Sequence, residues 1–246
     1  MCGLVGLYQK EGEALQRIFD GLIQVQHRGQ DAGGICTLQS SKINTHKELG
    51  LISEIFRNID INILKGNIGI GHVRYPTAGT DNVNEAQPFH TTNPINIALA
   101  HNGTLTNSDE IKAKLTKLNF CQFNTNSDSE VLLNLLSYEL FKTNKNEFSN
   151  TDILDVLKRI FNQCQGGYAV VALISGIGLV AFRDPNGIRP LALGKNHNGS
   201  YLLASESSAI TSLGFEVLKD LKPGEAIIIN LDGSVEEEHL IKDMQH

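Results

Sequence analysis

Cys2 is the residue whose type and position best suit covalent chemistry. A small second residue favours removal of the initiator methionine, so we expect Met1 to be excised and Cys2 to become the N-terminal residue. Its free α-amine would have an unperturbed pKa of about 7.7–8.0 and could accept the thiol proton near neutrality. Cys2 is therefore predicted to be an N-terminal nucleophile that carries its own general base. If Met1 is retained, the nitrogen is part of a peptide bond and this base is lost.

The remaining cysteines and the histidines lack the spacing of a metal site. No Cys-x-x-Cys pair and no helical His-x-x-x-His pair occurs, which argues against zinc, an iron–sulfur cluster and a disulfide scaffold. The cysteines concerned are Cys36, Cys121 and Cys164, and the histidines near the other polar motifs are His72, His90 and His101. We predict that these histidines are core or hydrogen-bonding residues and that the chain binds no metal.

Five motifs follow one another along the chain: Cys-Gly-Leu-Val-Gly at 2–6, His-Arg-Gly-Gln-Asp at 27–31, Gly-His-Val-Arg-Tyr-Pro-Thr-Ala-Gly at 71–79, Ala-His-Asn-Gly at 100–103 and Asn-Ser-Asp-Ser-Glu at 126–130. Together they resemble the class II glutamine amidotransferases, which are N-terminal-nucleophile hydrolases. Gln30 and the segment 183–191 are most similar to the glutaminase half of amidophosphoribosyltransferases. The resemblance extends from Cys2 to about Leu231. It implies that glutamine is hydrolysed to glutamate and ammonia for the first step of de novo purine synthesis.

Two charged residues match those that hold the ends of glutamine in this family. The resemblance implies that Arg74 binds the α-carboxylate, for which a planar guanidinium is well suited. A surface salt bridge is the structural alternative for Arg74. Asp128 matches the carboxylate that receives the α-ammonium group. Its alternative role is to pair with the helix macrodipole, because an acid in the first turn of a helix is favoured for that reason alone.

Asn102 and Gly103 match the oxyanion hole of the family, in which a side-chain amide and a backbone N–H stabilise the tetrahedral oxygen. Asn-Gly is also typical of a tight turn, and both interpretations are compatible. Arg28, Tyr75 and Thr77 lie in matching motifs. The resemblance implies that they line the glutamine pocket or couple it to a synthase domain.

The resemblance also predicts the partners and the domain boundaries. A glutaminase domain is expected over 2–235, followed at 236–246 by an acidic tail or the start of a linker. No phosphoribosyltransferase segment follows, so the ammonia acceptor is expected on another domain or subunit. Mg²⁺ would be required only there, and the full-length family implies a homo-oligomer. A truncated chain, a fragment and a stand-alone protein remain open.

Two other functions remain open. One is a regulatory protein that binds glutamine without hydrolysing it. The other is the glutaminase domain of a different class II enzyme, such as an asparagine or glucosamine-phosphate synthase, although Gln30 argues against this.

Composition excludes several broad classes of protein. The formal net charge of the 246 residues is −6, which disfavours binding to nucleic acid. No apolar run approaches the roughly 20 residues of a membrane-spanning helix, and the N-terminus lacks the positive region of a signal peptide. We therefore predict a cytoplasmic protein that binds neither nucleic acid nor membrane.

The hydrophobic pattern predicts the elements that position these residues. Helices are expected at 13–26, after the Asn107/Glu110 and Ser127/Glu130 capping signals, and at 152–163. Strands are expected at 2–8, 33–38, 42–49, 67–73, 168–174, 178–182 and 226–231. This order favours an α+β domain with mainly antiparallel sheets. The resemblance adds a four-layer αββα sandwich, and the segment 183–191 is expected to be a structural loop.

Overall fold

The computed structural model describes residues 1–75 and 82–241. Within these ranges the strands form two sheets in which all neighbours are antiparallel. Numbered in chain order, the first sheet contains β1 (Gly3–Tyr8), β2 (Ala32–Gln39), β3 (Lys42–Leu49), β4 (Ile68–Arg74), β9 (Ala192–Lys195), β10 (Tyr201–Ala204) and β11 (Glu216–Asp220). The second contains β5 (Phe89–Thr91), β6 (Ile97–Leu105), β7 (Gly166–Ile174), β8 (Gly178–Arg183), β12 (Glu225–Asn230) and β13 (Val235–His239).

Helices cover the outer face of each sheet. The first sheet is covered by α1 (Leu15–Gln24), α2 (Ile52–Ile55) and α6 (Ser207–Ser212). The second is covered by α3 (Ser108–Lys117), α4 (Asp128–Phe141) and α5 (Asn150–Gln163). One apolar core lies between the two sheets and one lies beneath each helical layer. The predicted four-layer αββα architecture is therefore confirmed.

Strand β1 lies near the middle of the first sheet, in the order β11-β9-β10-β1-β4-β2-β3. Cys2 directly precedes this strand, which places the thiol at the end of a buried element. The glycines of β4 allow α1 to approach the sheet closely. A Cβ on Gly71 would lie 2.7 Å from Ile18 and 2.8 Å from Leu22, so a larger residue there would push the helix away.

Along strand β6, successive side chains point to opposite faces of the sheet and so contribute to different cores. Ile97 and Leu99 contribute to the core beneath α4, whereas Ala98 and Ala100 contribute to the core between the sheets. Continuing the alternation, the side chain of residue 101 faces the helical layer and that of residue 102 faces the first sheet. The predicted site residues of the first sheet and those of the helical layer therefore come close together at this end of β6.

The predicted capping boxes differ from the structure in detail. Asn107 precedes α3, but its side chain makes no cap and instead bridges the Gln163 carbonyl and the Gln165 N–H at 2.8 and 3.0 Å. Ser127 does cap α4, accepting from the N–H of Ser129 at 3.3 Å.

The C-terminal part of the described chain contains strand β13, which pairs with β12 across Asp232-Gly233, a dipeptide typical of hairpin turns. The segment 236–246 is expected to begin a tail or linker, yet Val235–His239 is strand β13 and pairs with β12. The expectation of a tail is wrong for 236–239, because β12 presents an open edge whose backbone groups this acidic segment pairs.

Candidate active site

A cavity of about 500 Å³ opens where the ends of β1, β4 and β6 meet the start of α4. It holds groups from four of the five sequence motifs and from the segment that precedes β5. Its lining consists of Cys2, Arg74, Tyr75, Glu85, Gln87, His101, Gly103, Thr104, Leu105, Ser108, Asn126, Ser127, Asp128 and Ser129. A thiol, a guanidinium and a carboxylate thus face one space large enough for an amino acid.

Cys2 is held by its backbone as well as by the sheet. The Nε of Arg28 donates to the Cys2 carbonyl at 2.9 Å, and Nη1 of the same guanidinium contacts Glu206 Oε1 at 2.7 Å. Arg28 is buried and does not line the cavity. The side chain of Arg28 therefore lies behind Cys2 and holds its main chain, and its role in lining the pocket or coupling it to a synthase domain stays a prediction.

Burial raises the pKa of the Cys2 thiol above its usual value. The backbone N–H of Tyr75 and the positive charge of Arg74 oppose this rise, whereas the charge of Asp128 adds to it. Desolvation is the largest effect, so the thiol form dominates near neutrality. A nucleophilic Cys2 in this position needs a base to remove its proton.

Arg74 ends β4 and is buried, with 6% of its surface exposed. Its guanidinium contacts Asp31 Oδ2 at 3.1 Å and Glu85 Oε2 at 2.5 Å, and it lines the cavity. A surface salt bridge is therefore ruled out, because these ion pairs are internal. They fix the plane of the guanidinium, which is the property needed for bidentate binding of a carboxylate.

Asn102 and Gly103 lie within strand β6, so the interpretation of Asn-Gly as a tight turn is wrong. Asn102 is 2% exposed, and its Nδ2 donates to no atom among the described residues. A buried amide without an acceptor is costly unless a ligand supplies one. Gly103 has φ of 155°, and a Cβ there would lie 2.1 Å from the Gly167 carbonyl oxygen, so only glycine fits.

Asp128 is the first residue of α4 and faces the cavity from the helix N-terminus. Its Oδ2 accepts from the Leu105 N–H at 2.9 Å, and its Oδ1 lies 3.7 Å from His101 Nδ1. The same His101 nitrogen lies 3.0 Å from Ser129 Oγ. Burial lowers the pKa of His101, so a neutral imidazole links strand β6 to the helix that carries Asp128.

Two predicted residues remain. Tyr75 lines the cavity, but its side chain is 55% exposed, so its contribution at Cys2 is made by the backbone. Thr77 lies outside the described residues. The structure adds Glu85, Gln87 and Glu206 to the site, none of which a motif indicated. They reach it through contacts between segments that are distant in sequence.

The histidines are placed as buried or hydrogen-bonded groups. His72 is fully buried, and desolvation lowers its pKa to about 3. His90 lies 3.3 Å from Asn96 Oδ1. Among residues 1–75 and 82–241, no three His, Cys, Asp or Glu side chains are grouped as metal ligands would be.

In the same ranges, no helix has the length and apolar character required to cross a bilayer.

The sequence model of a family described as the glutamine amidotransferase domain matches residues 72–212, which is more than half of the chain. The chain belongs to the glutamine amidotransferase family. Its two antiparallel sheets and the cysteine at the start of β1 place it in class II, the N-terminal-nucleophile hydrolases.

Individual relatives agree with this assignment. The amidophosphoribosyltransferase of Pseudomonas aeruginosa is 46% identical over 238 residues, a match that covers 96% of this chain and 47% of the relative. The glutamine phosphoribosylpyrophosphate amidotransferase of B. subtilis, solved with ADP and GMP, superposes with a TM-score of 0.83 at 34% identity. That match covers 98% of this chain and 50% of the solved one.

A second solved structure, described as the allosteric regulatory enzyme of purine biosynthesis, gives a TM-score of 0.85 at 35% identity, again covering 98% of this chain and 50% of the other. The chain therefore spans about half the length of the relatives that it matches.

Proposed function

We propose that this domain hydrolyses glutamine to glutamate and ammonia, with Cys2 as the nucleophile once Met1 has been removed. The observation that carries the proposal is the single cavity that brings Cys2 together with Arg74, Gly103 and Asp128. These groups match the thiol, cation, oxyanion donor and anion that a glutamine-specific amidohydrolase requires. The family membership of the chain supports the same reaction.

Binding is proposed to use the two ends of the amino acid. Arg74 would bind the α-carboxylate, and Asp128 would accept from the α-ammonium group. The cavity lies between them and includes Cys2, so the side-chain amide would extend toward the thiol. Because glutamine is a zwitterion, a guanidinium at one end of the cavity and a carboxylate at the other are each opposite in sign to the group they would bind.

The chemistry needs two steps. The α-amine of Cys2 takes the thiol proton, directly or through water, and the sulfur attacks the amide carbon. Asn102 Nδ2 and the Gly103 N–H stabilise the oxyanion, the C–N bond breaks, and the proton passes to the departing ammonia. Water then attacks the thioester, giving glutamate and the free thiol. Loss of one oxyanion donor typically costs about 2.7–4 kcal/mol in activation free energy.

We further propose that the ammonia serves a phosphoribosyltransferase domain or subunit, as the names of the relatives indicate. The full reaction would then be that of an amidophosphoribosyltransferase in purine synthesis, in the cytoplasm and as a homo-oligomer. Phosphoribosyl pyrophosphate and Mg²⁺ would bind to the acceptor part. The proposed hydrolysis itself uses side chains, the α-amine and water.

A glutaminase assay on protein whose intact mass shows loss of Met1 tests the proposal. Cys2→Ala should abolish glutamate release. Cys121→Ala is the matched control, because Cys121 is also partly buried but lies outside this cavity. Equal rates for Cys2→Ala and wild type would overturn the proposal. Glutamine binding without turnover, together with a retained Met1, would favour a regulatory glutamine-binding protein instead.

A further inference from the structure

Gln87 lines the cavity but has no role in the scheme above. It is buried, with 6% of its surface exposed, and its side-chain amide contacts the main chain of His101 at both ends. Gln87 Oε1 accepts from the His101 N–H at 2.7 Å, and Gln87 Nε2 donates to the His101 carbonyl at 3.2 Å. Because one partner is a donor and the other an acceptor, the orientation of the amide is unambiguous.

The register of β5 and β6 explains why a side chain is needed there. Phe89 pairs with Leu99 and Thr91 with Ile97, so an extension of the ladder would place residue 87 opposite residue 101. The ladder ends before that position, and the intervening Pro88 has no N–H to donate. The Gln87 amide takes the place of the missing backbone partner and satisfies the N–H and C=O of His101.

This edge of β6 also contains the proposed oxyanion donor. In an antiparallel strand, alternate residues direct their N–H groups to the same side. The N–H of Gly103 is therefore directed to the same edge as that of His101, one step beyond the Gln87 contact. The side chain of Asn102 lies between them on the other face. A contact that holds the main chain at residue 101 therefore also sets the directions of the Gly103 N–H and the Asn102 side-chain amide.

The chain segment around Gln87 is held by contacts from the first sheet. Lys47 Nζ donates to the Ala86 carbonyl at 2.5 Å and lies 4.7 Å from the centre of the Phe89 ring. A Cβ on Gly34 would lie 2.5 Å from the Gln87 carbonyl oxygen, which shows how closely β2 packs against this residue. The main chain around Gln87 is therefore held by the first sheet, while its side-chain amide contacts the second.

We propose that Gln87 is a positioning residue for the oxyanion hole, acting through the main chain of His101 on Asn102 and Gly103. The inference rests on the proposed glutaminase function. Gln87 would hold the two donors where the oxygen of the tetrahedral intermediate forms, without touching the glutamine carboxylate or ammonium group. Its loss should slow the chemical step and leave glutamine binding unchanged.

Steady-state glutaminase kinetics of Gln87→Met test this expectation. Methionine is close in size but cannot make either hydrogen bond. We expect kcat to fall about tenfold to a hundredfold, approaching the loss of one oxyanion donor, with KM for glutamine changed by less than about twofold. When Gln87→Met is combined with Asn102→Ala, the decrease in log kcat should be smaller than the sum of the two single decreases, because both residues act on the same oxyanion hole.

Asn107→Ala is the matched control, since the Asn107 amide bridges a backbone carbonyl and a backbone N–H in the same way but does not line the cavity. Its kcat should stay within about twofold of wild type. Unchanged kcat in Gln87→Met, or a rise in KM alone, would overturn the role of Gln87. A wild-type protein without glutaminase activity would overturn the proposed function and this inference with it.

Gln87→Glu provides a second test should Gln87→Met fail to fold. An ionised glutamate accepts from the His101 N–H but repels the His101 carbonyl, whereas a protonated glutamate makes both hydrogen bonds. The ratio of its kcat to that of wild type at the same pH should therefore rise as the pH falls. A ratio that stays near one across a pH range in which the introduced glutamate ionises would show that the hydrogen-bond pattern is unimportant and contradict the proposal.

Discussion

Asp128 combines two roles that the sequence alone cannot separate. As the first residue of α4 it lies at the positive end of the helix macrodipole. In the structure its carboxylate also accepts from the Leu105 N–H and lines the cavity that contains Cys2. A residue that only paired with the dipole would have no reason to face this cavity.

Asp128→Asn separates the two roles. If Asp128 binds the α-ammonium group, the loss of a charge-assisted hydrogen bond should raise KM for glutamine about tenfold to a hundredfold. The measurement is steady-state glutaminase kinetics, with thermal unfolding recorded in parallel. An unchanged KM, combined with a small loss of stability of about 0.3–1 kcal/mol, would assign Asp128 to the dipole alone.

At the scale of single residues, sequence reasoning was most successful where chemistry demands a particular side chain. Cys2, Arg74, Gly103 and Asp128 were predicted from their motifs, and the structure brings them to one cavity. The roles of Arg28 and Gln87 were not predictable, because each depends on a contact with a backbone group distant in sequence. Such contacts leave no local pattern.

At the scale of elements, the chain after β8 up to residue 191 is a loop, as predicted, and it is held by the half-buried Arg183 and the buried Asp184. Arg183 donates to the carbonyls of Gly187, Arg189 and Leu221. Asp184 is fully buried and accepts from the backbone N–H groups of Tyr168, Asn186 and Ile188. The loop thus ties the end of β8 to β7 through Tyr168 and to the segment between β11 and β12 through Leu221.

Asp184→Ala should lower the free energy of unfolding by about 3 kcal/mol or more, because the buried N–H of Tyr168 and the half-buried N–H groups of the loop lose a charged acceptor at once. Asp155→Ala is the control. Asp155 is exposed and, within residues 1–75 and 82–241, pairs with Lys158 in the next turn of α5 at 3.4 Å. Its loss should cost less than about 0.5 kcal/mol. Urea denaturation measures both, and similar values for the two variants would contradict the structural role of the loop.

Elements with a clear period were predicted closely, whereas β6 was not, and β13 was indicated only by the hairpin signal at Asp232-Gly233. The predicted strand at 42–49 is β3 (Lys42–Leu49), and the predicted helix at 152–163 is α5 (Asn150–Gln163). Strand β6 buries both faces, so it lacks polar alternation, and its Asn-Gly pair is typical of a turn. Strand β13 is acidic, a composition with low strand propensity, and it pairs with β12.

At the scale of the whole molecule, the two sheets enclose a histidine that the proposed chemistry does not use. His72 is fully buried, and desolvation lowers its pKa to about 3 in the folded state, compared with about 6.5 in an unfolded chain. The unfolded state therefore binds a proton that the folded state excludes. The part of the folding stability that depends on a neutral His72 is fully present above pH 6.5 and is lost as the pH falls toward 3.

The free energy of unfolding should accordingly decrease by up to about 1.4 kcal/mol per pH unit around pH 5 on account of His72. His72→Gln should show a shallower dependence over the same range. His197→Gln, which replaces an exposed histidine, should keep the wild-type dependence. Urea denaturation between pH 7 and pH 4 measures the slopes, and equal slopes for wild type and His72→Gln would contradict the buried, neutral state of His72.

The measurement that tests the account most directly is peptide mapping after reaction with a chloromethyl ketone analogue of glutamine. A nucleophilic thiol displaces chloride and forms a stable carbon–sulfur bond, so the modified residue is identified by mass. We predict one adduct on Cys2, in a peptide that lacks Met1, and its suppression by excess glutamine. An adduct on Cys121, or an unmodified Cys2 in protein that hydrolyses glutamine, would contradict the assignment of Cys2 as the nucleophile.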